Sequence, residues 1–271
     1  MFTKAIVRPP APNFAEGLTT ADLGAPDYER ALKQHEDYCA ALEQCGLTVI
    51  RLEEDPDYPD SCFVEDVALV IGGPTDNADE DVRAPSIKGV VLTRSGTLSR
   101  AGEVVSIRKA LAEFFPALSE IQSPGTLDGG DVCEAENHFF IGLSERTNEA
   151  GARQLAELLA PFGYTSSFVD IRGLSGILHL KSGIAYLGDN HLVVIEELAD
   201  RKEFCCYDLI RVNAGEQYAA NCVRVNDRVL VAAGYPAFES QLQALGYQTI
   251  ALEITEFQKM DGGLSCLSLR F

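Results

Sequence analysis

The chain has 271 residues, with 22 Lys and Arg against 41 Asp and Glu, a formal net charge of −19 and a hydrophobic fraction of 46%. That charge argues against a nucleic-acid partner, whose backbone needs clustered Lys and Arg, and no apolar run approaches the roughly 18 residues of a membrane span. A cationic small molecule is compatible, and a single domain over 1–271 with one large core is expected.

In chain order, five segments share a pattern in which a short apolar strand is followed by a helix candidate and two more strand-like runs. The first strand lies at Lys4–Arg8. Its helix runs from Asp27 as N-cap to Gly46 as stop, with Ala31, Leu32, His35, Cys39 and Leu42 at helical spacing. Strand-like runs follow at 48–52 and 66–71. The segment Asp60-Ser61-Cys62-Phe63-Val64-Glu65-Asp66 sets carboxylates against the apolar run 67–71, where a carboxylate needs a paired cation or donors to stay ionised. Gly72 to Pro85, with four acidic residues, reads as a solvated loop.

The second unit has a strand at 88–94 and a helix carrying Val104, Ile107, Leu111, Phe114 and Phe115 up to Pro116, then strands at 119–122 and 131–133. Thr126-Leu127-Asp128-Gly129-Gly130-Asp131 joins them, and an ordinary turn explains it as well as a site does. The third has a strand at 137–142, a helix ending at Gly163, and strands at 166–169 and 183–187. It contains His179 in Leu178-His179-Leu180-Lys181-Ser182, set opposite its flanking leucines on a strand. The fourth, with strands at 190–195, 208–211 and 221–225, has only a short, poorly patterned helix. The fifth has a strand at 226–231, a helix from Pro236 to Gly246 and strands at 248–253 and 264–269. The last strand follows a Gly-Gly turn and puts Cys266 and Ser268 on one face.

The eight cysteines form no C-x-x-C pair, so no zinc ribbon or thioredoxin-type motif can be read. No H-E-x-x-H or close ligand pair points to a metal, and no metal or cofactor is expected. Most of the cysteines read as buried reduced thiols, which fits a reducing, cytoplasmic compartment. Taken alone, Cys266 is a core cysteine and His179 a satisfied core histidine.

Taken together, Gly17-Leu18-Thr19, Pro59 to Asp66, Thr93-Arg94, Thr126 to Asp131, Arg146-Thr147-Asn148, His179 to Ser182, Ala220-Asn221-Cys222 and Asp261 to Cys266 resemble the dimethylarginine dimethylaminohydrolases over nearly the whole chain. The resemblance implies a five-bladed α/β propeller with a pseudo-fivefold repeat of strand-helix-strand-strand units, acting on a cationic amino acid as monomer or homodimer. It implies hydrolysis of methylated arginine to citrulline, with Cys266 as nucleophile, His179 as general acid/base and Asp128 orienting it. Asp66 with Glu65 would hold the guanidinium, Arg94 and Arg146 the α-carboxylate, and Leu18, Asp60, Met260 and Asp261 the rest of the substrate.

Related arginine deiminases carry Asp where this chain has Lys181, which favours a methylated substrate. Ser95 stands where relatives often carry Pro. Hydrolysis of arginine or citrulline, or arginine binding without turnover, is the competing expectation.

Overall fold

The computed structural model describes residues 1–72 and 87–271. Five three-stranded sheets, each the blade of an α/β propeller, surround a central axis. The first unit comprises β1 (Lys4–Val7), α1 (Tyr28–Gln44), β2 (Thr48–Arg51) and β3 (Ala68–Gly72). The second comprises β4 (Ile87–Leu92), α2 (Val104–Ala112), β5 (Ser119–Glu120) and β6 (Val132–Ala135). The third has β7 (His138–Leu143), α3 (Glu149–Leu159), β8 (Thr165–Asp170) and β9 (Ile184–Gly188). The fourth has β10 (His191–Ile195), β11 (Asp208–Val212) and β12 (Val223–Val225). The fifth has β13 (Arg228–Ala232), α4 (Pro236–Ala244), β14 (Gln248–Leu252), the one-turn α5 (Thr255–Gln258) and β15 (Leu269–Arg270).

In every sheet the middle strand pairs in parallel with the outer strand that follows it and antiparallel with an inner strand. A parallel pair needs a crossover connection, which the helices supply. In the fourth blade two 3-10 turns, Glu196–Leu198 and Lys202–Phe204, do this instead, in keeping with its weak helical pattern. The inner strand of each sheet comes from the preceding unit. The ring closes where β15 pairs with β1, Ala5 opposite Arg270 and Ile6 opposite Leu269.

The middle strands are buried on both faces, Phe139 to Leu143 and Leu192 to Ile195 among them, which is why they read as unbroken apolar runs rather than alternating ones. Each such side chain contributes about 1.5–3 kcal/mol by leaving water. Asp27 caps α1 by accepting from the Arg30 amide at 2.9 Å, and Gly46 follows the helix with φ of 88°. The second helix is shorter than its pattern: Phe114 and Phe115 lie beyond it, their rings 5.4 and 5.1 Å from that of Phe271. Apart from Gly72, the acidic segment 72–85 lies outside the described residues.

Each inner strand is preceded by a single 3-10 turn: Val64–Val67, Gly129–Asp131, Leu180–Ser182, Gln217–Ala220 and Ser265–Leu267. The turns touch one another around one mouth of the axis. This corrects three expected strands. Asp66, Asp131 and Cys266 belong to turns, and His179 is the extended residue that enters one. From the other mouth a cavity of about 880 Å³ runs between the inner strands, past Ala68, Val132, Ile184 and Val223, down to Glu65, Lys181 and Ser265.

Candidate active site

Residues one or two positions apart at three of the turns face opposite ways. Asp66, His179 and Cys266 line a narrow cleft at the mouth, while Glu65, Lys181 and Ser265 line the axial cavity behind it. A 3-10 turn directs neighbouring side chains about 120° apart, so one short turn serves both compartments. The cleft holds about 20 Å³ of free space, and Leu18, Asp60, Phe63, Arg100, Arg146, Met260 and Asp261 are among the residues that line the rest of it. That is room for about one water, and less than an amino acid needs, so a ligand must displace part of the wall.

His179 is the most heavily flanked group. Its Nε2 lies 3.3 Å from Asp128 Oδ2, and its Nδ1 lies 4.0 Å from Asp66 Oδ1. Burial pushes the imidazole toward its neutral form, but Asp66, Asp131 and Asp128 outweigh it and hold the pKa up at about 9. Gly130 permits this approach. A Cβ there would come within 2.7 Å of His179 Nδ1 and 2.8 Å of Asp66 Oδ1. Its amide donates to Asp66 Oδ1 at 3.0 Å. The Asp128 amide donates to Thr147 Oγ1 at 3.1 Å, and Asp128 Oδ1 is buried with no hydrogen-bond partner among the described residues.

Asp66 would be raised by burial, but the His179 imidazolium and the Arg100 guanidinium hold its carboxyl down at about 2. Arg100 Nη1 donates to Asp66 Oδ2 at 2.7 Å, while Nε and Nη2 fork onto Glu103 at 2.9 and 2.8 Å. Bidentate pairs of this kind fix both partners. Neither Arg100 nor Glu103 was anticipated from the sequence. The only signal was two arginines, Arg94 and Arg100, in one stretch before α2.

Cys266 is buried, and burial, followed by the charges of Asp66 and Glu65, pushes its thiol up to about 12. The Gly263 backbone and Lys181 oppose this without overcoming it. At neutral pH these surroundings favour the protonated thiol and the charged imidazole. A cation placed against Asp66 would reverse the balance on the thiol. Asn221, from the fourth turn, accepts the Ser265 amide at 2.9 Å, and Tyr218 donates to the Gly262 carbonyl at 2.7 Å, so this blade supports the cysteine turn. Ser268 does not share a face with Cys266: it lines the axial cavity and lies 2.7 Å from Tyr38 Oη.

Over the cleft, the Leu18 amide donates to Asp60 Oδ1 at 3.0 Å, and Asp261 Oδ2 accepts from the Thr20 amide at 2.5 Å. Leu18 is partly exposed, Met260 is buried, and Asp261 holds a left-handed φ of 56°. A chain segment tied to the wall by two carboxylates has the form of a lid.

Of the two arginines expected at the carboxylate, Arg146 reaches the cleft, where its guanidinium bonds Thr97 Oγ1. Arg94 does not. An isolated bridge with Leu127 fixes its backbone, its guanidinium donates to the Gly125 carbonyl at 3.0 Å, and its side chain is exposed. Glu65 is also turned from the cleft: its Oε1 pairs with Lys181 at 2.7 Å and Arg270 at 3.2 Å. Lys181 therefore faces the axial cavity rather than a ligand in the cleft.

Asp66, Asp128 and His179 offer atoms close enough together for a metal ion among the described residues. The two Asp66 oxygens already accept from Arg100 and Gly130, which a metal would have to displace.

No protein-family model matches the chain. It is 40% identical to N(G),N(G)-dimethylarginine dimethylaminohydrolase of Pseudomonas aeruginosa, over the whole of both chains. It is 32% identical to the protein of the same name from Streptomyces coelicolor, over 98% of this chain and 96% of that one. A solved structure of the Pseudomonas aeruginosa enzyme, a cysteine-to-serine mutant complexed with citrulline, superposes with a TM-score of 0.90 at 39% identity over the whole of both chains.

Proposed function

The chain belongs to the dimethylarginine dimethylaminohydrolase family, and from that premise we propose that it hydrolyses Nω-methylated arginines to citrulline and methylamine or dimethylamine through a covalent intermediate on Cys266. The observation that carries this reading is the ring of turns, which gathers a thiol, a doubly flanked imidazole and a carboxylate already holding one guanidinium group into one buried cleft.

The substrate guanidinium binds against Asp66, and its positive charge favours ionisation of Cys266, whose proton leaves as the cation arrives. The thiolate attacks the central guanidinium carbon. With Nε2 held by Asp128, Nδ1 of His179 is the nitrogen left to give its proton to the departing amine as the C–N bond breaks. The neutral imidazole then takes a proton from water, the resulting hydroxide attacks the amidino-thioether, and cleavage of the C–S bond, with the adduct's hydroxyl proton passing to solvent as the C=O forms, releases citrulline and restores the thiolate. Arg146 and Arg100 form the cationic side of the cleft and receive the α-carboxylate, while Asp60, Met260, Asp261 and the lid at Leu18 enclose the rest. Lys181 places no carboxylate in the cleft and pairs with Glu65. The guanidinium thus faces few obligatory acceptors, and methyl groups on its nitrogens are tolerated.

We read residues 1–271 as one catalytic domain. No helix among the described residues is long and apolar enough to cross a membrane. The eight cysteines are unpaired, which supports a reducing, cytoplasmic setting.

The test is incubation with asymmetric dimethylarginine, monomethylarginine, arginine and citrulline, beside the Cys266→Ser variant. Citrulline is expected from both methylarginines and from neither ligand with the variant. Turnover of arginine or citrulline alone would reassign the substrate, and turnover of none would leave a binding protein.

A further inference from the structure

Asp131 has no part in the chemistry just described and is fully buried, yet it is the point at which three parts of the site meet. Its Oδ1 accepts the Leu180 amide at 2.9 Å, fixing the turn that His179 enters. Its Oδ2 accepts the Ser144 hydroxyl at 2.6 Å. Ser144 Oγ in turn accepts the amides of Arg146 at 3.0 Å and Thr147 at 3.1 Å. Thr147 Oγ1 accepts the Asp128 amide. One carboxylate thus connects the backbone beneath His179 with that beneath Arg146 and Asp128. The approach is close enough to require Gly142 beside it, where a Cβ would lie 2.8 Å from Asp131 Oδ1 and 2.9 Å from Leu180 Cβ.

We propose that Asp131 is a positioning residue for this reaction, holding the general acid/base through the Leu180 amide and the carboxylate-binding arginine through Ser144. A buried carboxylate with acceptor bonds this short is costly to house and fixes what it holds. Its charge acts on His179 as well. The titratable and charged groups facing that imidazole are Asp66, Asp128 and Asp131, with Cys266, Arg100, Arg146, Asp60 and Asp261 around the same cleft. Removing the Asp131 charge takes away one of the three that keep the ring protonated, whereas severing Ser144 leaves that charge in place. The two arms can therefore be separated.

The proposal rests on the roles assigned above to His179 and Arg146, so one measurement is made without turnover. NMR titration of His179 in ligand-free protein, its signal assigned with His179→Gln, compares the unaltered chain with Asp131→Asn and Ser144→Ala. Asp131→Asn is expected to lower the His179 pKa by about 1 pH unit and to move the alkaline limb of kcat down with it. Ser144→Ala is expected to raise KM for methylarginine roughly 3- to 10-fold with the His179 titration unmoved. An unchanged titration and kcat in folded Asp131→Asn, or an unchanged KM in Ser144→Ala, overturns the proposal. If Asp131→Asn does not fold, the KM of Ser144→Ala decides alone. Absence of turnover in the unaltered chain would sink the functional reading instead, leaving the titration to judge the effect of Asp131 on His179.

Discussion

The two mouths of the propeller axis are built from the same five repeats and differ in how they hold charge. At the mouth ringed by 3-10 turns, Asp66, Asp128, His179 and Arg100 are buried and lie within about one side chain of one another. At the other, charges such as Glu136 stand exposed around a cavity of about 880 Å³. The Glu136 carboxylate accepts from Tyr186 Oη, a contact at the surface that water can replace. The same kind of carboxylate gains its power over a neighbour's protonation from loss of solvent, and the turns achieve that loss.

The largest expected consequence is at Cys266. Cys266→Ser should reduce citrulline release at least ~1000-fold, with the circular dichroism spectrum intact; residual activity above that level would remove the thiol from the mechanism. Asp128→Asn keeps the shape of the side chain but loses the charge beside His179 Nε2, and kcat should fall about 100- to 10,000-fold. The third effect concerns pH. Because the folded pKa of His179 is raised to about 9 from 6.5, its contribution to stability is fully present below pH 6.5 and is lost as pH rises through 9. The denaturation midpoint should drop across that window, and the drop should be missing in His179→Gln.

A smaller contrast separates the two arginines first expected together. Arg146→Ala should raise KM about tenfold, whereas Arg94→Ala should change it less than about twofold. Equal effects would mean that the exposed arginine reaches the substrate after all. Smallest of all, Glu136→Gln at the open mouth should leave kcat unchanged and stability within about 0.5 kcal/mol. A marked loss there would erase the distinction between the mouths.

Much of this was legible in the sequence. The repeat of strand, helix and two strands shows in the apolar runs and in helix signals such as Asp27 and Pro236, because propensity and burial agree there. The turns were not legible. A polar residue followed by an apolar one before a strand reads as the strand's own alternation, so Asp66 and Cys266 were expected on strands and Ser268 beside Cys266. Position in a turn also decides which way a side chain faces, which is why Lys181 and Glu65 fell behind the cleft. Arg94 and Arg100 are the same residue type in the same stretch, and nothing in the sequence foretells that a backbone bridge to Leu127 leaves Arg94 exposed while Arg100 is buried against Asp66 and Glu103.

The pairing of β15 with β1 has a consequence for the order of folding. Cys266 lies three residues before Leu269, which docks opposite Ile6. That pair joins residues more than 260 positions apart, a closure whose entropy must be met before its contacts form and which is therefore expected late. Until then the first four turns can assemble around His179 without a nucleophile beside it. Catalysis should thus switch on with the last cooperative step of refolding, and the regain of activity should lag the regain of secondary structure.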